Sequence, residues 1–259
     1  MPGLDDRIRE RLAGKTAIVT GGAAGIGKAV CLRLASDGMR LAVVDLREDA
    51  VARAVDELSE LAPGAVMGLA LDVRSETDME EMARRVLERF EKVDLLVHSA
   101  GILRAKDSGP KTLTQLSVRE WDEVVDTNLK GTFLCNRVVA SRMMAQKSGQ
   151  IINISSISGV QGRAFDSAYC ASKFGIVGLS ESLAEEMRQY GVKVQLLLPD
   201  AVNTGLWEQN GPIKAPSYAL DPDRVADLVR FIAGQPEEAV FGRTVITPFW
   251  TVRGSVRGG

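Results

Sequence analysis

Short runs of β-branched and aliphatic residues alternate along the chain with longer stretches in which apolar residues recur every three or four positions. That alternation holds from Thr16 almost to the end, and it predicts strands each followed by a helix, hence a parallel sheet with helices on both faces. The expected strands are TAIVT at 16–20, LAVVD at 41–45, AVMGLAL at 65–71, DLLVH at 94–98, QIINIS at 150–155, VKVQLLL at 192–198 and TVIT at 244–247. Near-continuous Val and Leu in LAVVD and VQLLL mark strands buried on both faces. Helices fill the intervals: at 76–91, Met79, Met82, Ala83, Val86 and Phe90 recur at three- and four-residue steps among charged neighbours. Further helices are expected at 117–146 and 166–190. No Pro/Gly/Ser-rich linker, internal repeat or low-complexity segment interrupts the pattern. The expectation is an α/β fold, a doubly wound seven-stranded parallel sheet in three αβα layers, with residues 1–14 as an N-terminal extension and 15–259 as a single domain. The least regular stretch, 203–219, follows a strand's C-terminal end, which is the ligand side of such sheets.

Composition narrows the partners. Thirty-two basic against 34 acidic residues give a formal charge of -2 with no strongly basic stretch, which argues against nucleic acid and for a small-molecule ligand. The N-terminal MPGLDDRIRERLAGK lacks the apolar core of a secretory signal, and no apolar run approaches the ~18 residues of a membrane span. A soluble cytoplasmic protein with no membrane contact is expected. Cys31, Cys135 and Cys170 lie far apart, form no CxxC pair and cannot build a metal cage with the lone His98, so they are read as reduced and structural, with no metal needed.

The first strand runs into Thr20-Gly21-Gly22-Ala23-Ala24-Gly25-Ile26-Gly27, after which a helical pattern begins. Glycines there let the backbone turn sharply and bring a diphosphate to a helix N-terminus, where free N–H groups and the helix dipole favour anions. Gly22 to Lys28 also spells the GxxxxGK loop of nucleoside triphosphatases, but Ala29 stands where that motif needs a hydroxyl for magnesium. Strand two ends in Asp45, 18 residues after Gly27, near the ~20-residue spacing at which an acid hydrogen-bonds an adenosine ribose. A carboxylate there repels a 2′-phosphate, so NAD is predicted over NADP. Arg47 is close enough in sequence to favour the phosphate if its loop turned inward.

Tyr169 and Lys173, four residues apart in a predicted helix, project from one face. A phenol titrates near ~10, and a neighbouring ammonium favours the phenolate, so Lys173 is expected to lower the Tyr169 pKa. With the turn at 20–27, Asp45, Ser156 and Asn128 in DTNLKG, the chain resembles the short-chain dehydrogenase/reductase family, closely over residues 14–204 and loosely beyond. The resemblance implies a Rossmann-like fold and an NAD(H)-dependent oxidoreductase that moves hydride between nicotinamide and a secondary alcohol or ketone. In it Tyr169 exchanges a proton with the substrate oxygen, Ser156 hydrogen-bonds that oxygen, Lys173 also binds the ribose, and Asn128 holds a water in the proton relay. Hydride transfer leaves an alkoxide-like oxygen that needs a donor and a proton, which those residue types supply. Gly21, Ala24, Gly25, Ile26, Gly27, Asp45, Leu46, Asp72, Val73, Ala100, Gly101, Pro199, Val202 and Thr204, with Tyr169 and Lys173, match the family's cofactor positions. The long apolar sides of 117–146 and 166–190 imply a homotetramer, with a dimer as the alternative; helices that merely cover the sheet fit the same pattern.

Two positions depart from the family pattern: strand four ends HSAG where NNAG is common, and PD stands at 199–200 where PG is common. His98 is read as a hydrogen-bonded structural replacement, not a base. Asp200 beside the nicotinamide is expected to favour its cationic form. The substrate pocket is expected to draw on Ser158, Gln161, Arg163, Phe165 and Trp207, with Arg163 either an anchor for a substrate carboxylate or phosphate or a surface arginine. Two other readings stay open: an NADP-linked 3-oxoacyl-thioester reductase, against which Asp45 and the C-terminal RTVITPFWTVRGSVRGG argue, and a catalytically silent dinucleotide-binding regulatory protein.

Overall fold

A computed structural model describes residues 3–249 of the chain. Seven strands, β1 (Thr16–Thr20), β2 (Arg40–Asp45), β3 (Val66–Ala70), β4 (Leu95–His98), β5 (Gly149–Ile154), β6 (Val192–Pro199) and β7 (Arg243–Ile246), form one sheet in the order β3-β2-β1-β4-β5-β6-β7. All six pairings are parallel. The residues of the expected TVIT strand lie here at the sheet edge, while 250–259 of the C-terminal segment fall outside the described residues.

The helices are α1 (Leu4–Leu12), α2 (Gly25–Ser36), α3 (Glu48–Leu61), α4 (Glu76–Phe90), α5 (Val118–Val125), α6 (Gly131–Gln146), α7 (Ser167–Met187) and α8 (Pro222–Ala233). Successive strand residues point to opposite faces, so Val19, Leu41 and Val43 meet α2 and α8 on one side, while Ile18, Val44 and Leu96 meet Met79, Met82 and Val139 on the other. Both apolar layers exclude water, as the continuous Val/Leu runs require. The first residues are part of this core: Ile8 and Leu12 are buried, and a side chain at Gly234 would meet Ile8 Cγ2 at 2.7 Å. Burying each such aliphatic side chain stabilises the fold by ~1.5–3 kcal/mol. Arg230 of α8 completes the docking, donating to Asp37 at 2.6 Å and to Asp5 at 2.8 Å.

The single long helix expected at 117–146 is two helices joined by a π-helical turn, Asp126–Lys130. One extra residue in that turn shifts the helical register, and Asn128 lies inside it, wholly buried. The sheet order reverses between β1 and β4, so the loops after these strands diverge and leave a crevice at their C-terminal ends. Gly21–Gly27, Ser99–Gly101, Ser155–Ser158 and Asp200–Thr204 all leave the sheet at that end.

Candidate active site

The glycine-rich turn is held by backbone contacts that leave no room for side chains. Gly21 has φ 64°, in the left-handed region, and a Cβ there would stand 2.9 Å from the Ala100 backbone. A Cβ at Gly27 would stand 2.2 Å from the Gly21 carbonyl oxygen, so α2 packs onto the turn through that hydrogen alone. Ala24, the residue that caps α2, provides no side-chain acceptor. The first N–H groups of α2 therefore face the crevice, as a diphosphate requires. Thr204 closes the turn from β6, within van der Waals reach of Gly25.

At the end of β2, Asp45 Oδ2 accepts from the Ala23 N–H at 3.4 Å, and Arg47 Nε lies 3.8 Å from Oδ1. The Asp45 side chain is 13% exposed and the Arg47 side chain 59%, so the acid faces the turn and the guanidinium faces water. Leu46 beside them is exposed. Asp72 is committed to Arg74, which donates to both of its oxygens, at 3.0 Å through Nε and 2.6 Å through Nη2. Arg74 holds the Asp72 carboxyl below its usual range against the opposing effect of burial. Val73 is buried against Gly131, and Gly101 faces Asn128 Oδ1 and Lys173 Nζ.

Tyr169, Lys173 and Ser156 converge where α7 crosses the ends of β5 and β6. Lys173 Nζ donates to the Ile154 carbonyl at 3.0 Å and sits 5.6 Å from the Tyr169 ring centroid. Asn128 clasps the Ile102 peptide at both ends, accepting from its N–H and donating to its carbonyl at 2.8 Å each, and also donates to Ser172 at 3.0 Å. The expected lowering of the phenol by Lys173 does not occur in this environment. Burial dominates and pushes Tyr169 up to about 12, with Ser156 pulling the other way, while burial draws Lys173 down to about 8. At neutral pH Tyr169 is therefore a neutral phenol, a proton donor in waiting.

Ser156 and Tyr169 border a cavity of about 650 Å³, whereas Lys173 and Asn128 lie behind its wall. Ser156, Tyr169, the expected pocket residues Ser158, Arg163 and Trp207, and the expected cofactor residues Ile26, Pro199, Val202 and Thr204 line it. Gln161 and Phe165 do not, and both are exposed. Leu103, Asp166, Asn210 and Tyr218 line it instead. No local motif announces them, and only the loop that carries Asn210 and Tyr218, partly the 3-10 helix Gly205–Asn210, was legible. Arg163 and Asp200, treated separately in the sequence, form one ion pair at 2.7 Å on the cavity wall.

His98 is buried at the end of β4, where its Nδ1 shares a 2.9 Å hydrogen bond with Thr20 Oγ1. Its Nε2 is buried with no hydrogen-bond partner among the described residues. Burial, with Lys173 nearby, pulls its pKa down to about 3, so it is a neutral ring inside the sheet. The short chain dehydrogenase family model matches residues 15–214, the span that carries the turn, Asp45, Asn128, Ser156, Tyr169 and Lys173.

The chain belongs to the short-chain dehydrogenase family.

This short-chain dehydrogenase is 32% identical to a 3-oxoacyl-(acyl-carrier-protein) reductase of Synechocystis sp. (strain ATCC 27184 / PCC 6803 / Kazusa), over 90% of its length and 95% of that protein. It is 31% identical to the (2S)-((R)-hydroxy(phenyl)methyl)succinyl-CoA dehydrogenase subunit BbsD of Thauera aromatica, over 89% of its length and 94% of that protein. Among solved structures it is similar to a metagenomic short-chain oxidoreductase in complex with NADP, with a TM-score of 0.79, 33% identity and coverage of 92% and 98% of the two chains. The short-chain dehydrogenase is thus an oxidoreductase with a Rossmann-like α/β domain, of a family that binds a nicotinamide cofactor. Its own residues fit that cofactor: the turn excludes side chains at Gly21 and Gly27, α2 opens onto the crevice uncapped, and the crevice continues into the cavity beside Tyr169.

Proposed function

We propose that this short-chain dehydrogenase moves a hydride between NAD(H) and a secondary alcohol or its ketone, with Tyr169 as the acid/base. The convergence of Tyr169 and Ser156 on one cavity, lined also by Ile26 of the cofactor turn and by Thr204 beside that turn, carries the reading. Bound in the crevice, the nicotinamide supplies or accepts the hydride. Ser156 and Tyr169 hydrogen-bond the substrate oxygen; the Tyr169 phenol gives its proton to that oxygen on reduction and recovers it on oxidation. Lys173 binds the ribose from behind and Asn128 holds the water that returns the proton. Gly21, Ala24, Gly25, Ile26 and Gly27 take the diphosphate, Leu46, Asp72 and Val73 the adenine side, and Ala100, Gly101, Pro199, Val202 and Thr204 the nicotinamide side. Asp45, turned toward Ala23 at 3.4 Å, supports NAD over NADP, because a 2′-phosphate would approach its carboxylate. Phe133 and Phe174, exposed on α6 and α7, support a homotetramer, and a cytoplasmic location is the accompanying expectation.

A second reading, a 3-oxoacyl-thioester reductase linked to NADP, draws support from the name of the Synechocystis relative. One panel separates the readings: secondary alcohols with NAD+ and NADP+, and an acetoacetyl thioester with NADH and NADPH, on wild type and Tyr169→Phe. The reading expects NAD(H)-linked turnover that falls by roughly 10³-fold in the variant. Dinucleotide binding with no turnover anywhere, or turnover indifferent to Tyr169, would leave the regulatory alternative.

A further inference from the structure

We infer that Arg104 is a positioning residue that fixes the cavity wall facing Tyr169, by locking the Gly205–Asn210 segment against the residues that lead into α7. Its side chain is 8% exposed, and nearly all of its fork is used. Nε and Nη2 donate to Asn210 Oδ1 at 3.2 and 2.7 Å, Nη2 donates to Asp166 Oδ1 at 2.7 Å, and Nη1 donates to the Phe165 carbonyl at 2.6 Å. The backbone completes the lock, since Gln209 Oε1 accepts from the N–H groups of Leu103 and Arg104 at 2.8 and 3.2 Å.

Three loops far apart in sequence meet in this one side chain, and each contributes to the cavity: Leu103 from the loop after β4, Asp166 from the turn before α7, and Asn210 from the loop after β6. Phe165 has φ 67°, a left-handed conformation that a bulky residue rarely adopts, and its carbonyl is held by Arg104. A planar guanidinium reaches three acceptors in different directions at once, whereas an ammonium acts as a point charge with a smaller reach. Arg104 touches no position expected for the hydride or the proton, so its effect on the reaction passes through the wall it holds. The consequence for catalysis rests on the proposed role of Tyr169; the locking of the loop does not.

The test compares Arg104→Met and Arg104→Lys with wild type on three readouts: tryptic cutting after the exposed Lys214 in the same loop, NAD+ affinity by calorimetry, and KM against kcat for the acetoacetyl thioester or whichever panel member turns over. The expected result is cutting after Lys214 faster by about tenfold, a KM raised by about tenfold with kcat within about threefold, and NAD+ affinity unchanged. Arg104→Lys is expected to recover only part of the wild-type behaviour. If the Arg104 variants do not fold, Gln209→Ala/Asn210→Ala decides, since it removes the loop's partners and leaves the Arg104–Asp166 pair. Cutting and KM like wild type would overturn the inference, as would NAD+ affinity lost in parallel with KM, which indicates general loosening. Should no panel member turn over, the reaction reading fails alone, and the cutting after Lys214 still decides whether Arg104 locks the loop.

Discussion

The two sides of the crevice are built by different means. On the β1–β3 side the turn is shaped by what is missing: no Cβ at Gly21 or Gly27, no capping side chain at Ala24, and a single acid, Asp45, at the strand end. On the β4–β7 side the cavity is shaped by side chains that reach across the fold, Arg104 to Asp166 and Asn210, and Arg163 to Asp200. Backbone contacts of the first kind tolerate almost no substitution, whereas walls joined by hydrogen bonds and ion pairs can be re-cut one residue at a time. The fold thus keeps its dinucleotide grip while the substrate wall is free to differ.

The sharpest break in that contrast is Gly27→Ala. Its new Cβ must move α2 or the Gly21 carbonyl, and a loss of NAD+ affinity of roughly 100-fold, about 2.7 kcal/mol, is expected by calorimetry. Affinity within about twofold of wild type would mean that the turn is not the diphosphate site.

The acid response of His98 probes the sheet between the two halves, which carries a buried ring. Its folded pKa of about 3 lies below the ordinary 6.5. As pH falls below 6.5 the unfolded chain takes up a proton that the folded chain refuses, so stability declines until about pH 3. The loss approaches about 5 kcal/mol and should be absent in His98→Asn, as read by denaturant unfolding at stepped pH. Because His98 is the only histidine, its ring proton resonances report it directly and should not titrate between pH 7.5 and 5. A midpoint near 6.5 would contradict the burial described here.

Smaller still is Lys173→Met. A buried ammonium with a pKa of about 8 in place of 10.5 costs about 3 kcal/mol at pH 7, and loss of its hydrogen bond to Ile154 offsets about 1. The variant should be more stable by about 2 kcal/mol at pH 7. Between pH 8 and 10.5 the unfolded wild type binds more protons than the folded, so wild-type stability rises with pH and the gap closes. A variant less stable than wild type would place Lys173 among the structural residues, not the functional ones.

How far the sequence reaches follows the same division. Every strand was legible to within a residue or two, because continuous Val and Leu runs have no other use in a chain with this alternation. The glycine turn, Asp45 and the Tyr169–Lys173 pair were legible because their spacing is local. The π turn at Asp126–Lys130 was not, since it adds one residue to a pattern that is otherwise helical throughout. Phe165 was misplaced for a related reason: nothing local signals that it takes a left-handed conformation, and nothing local marks Gln161 as lying off the cavity. Arg104, Asp166 and Asn210 were invisible because their partnership exists only after β4, α7 and the loop after β6 are assembled. The direction of the Tyr169 shift was misjudged because spacing reveals the ammonium nearby but not the burial that outweighs it.

The central claim is that this short-chain dehydrogenase selects its dinucleotide at Asp45. Calorimetric titration of wild type and Asp45→Ala with NAD+ and NADP+ tests it most directly. The account predicts that wild type binds NAD+ more tightly than NADP+, and that the variant loses about tenfold or more in NAD+ affinity while its NADP+ affinity holds or improves, since one charge-assisted hydrogen bond is worth about 1.5–3 kcal/mol. A wild type that prefers NADP+, with Arg47 turned from Asp45 to the 2′-phosphate, would contradict it.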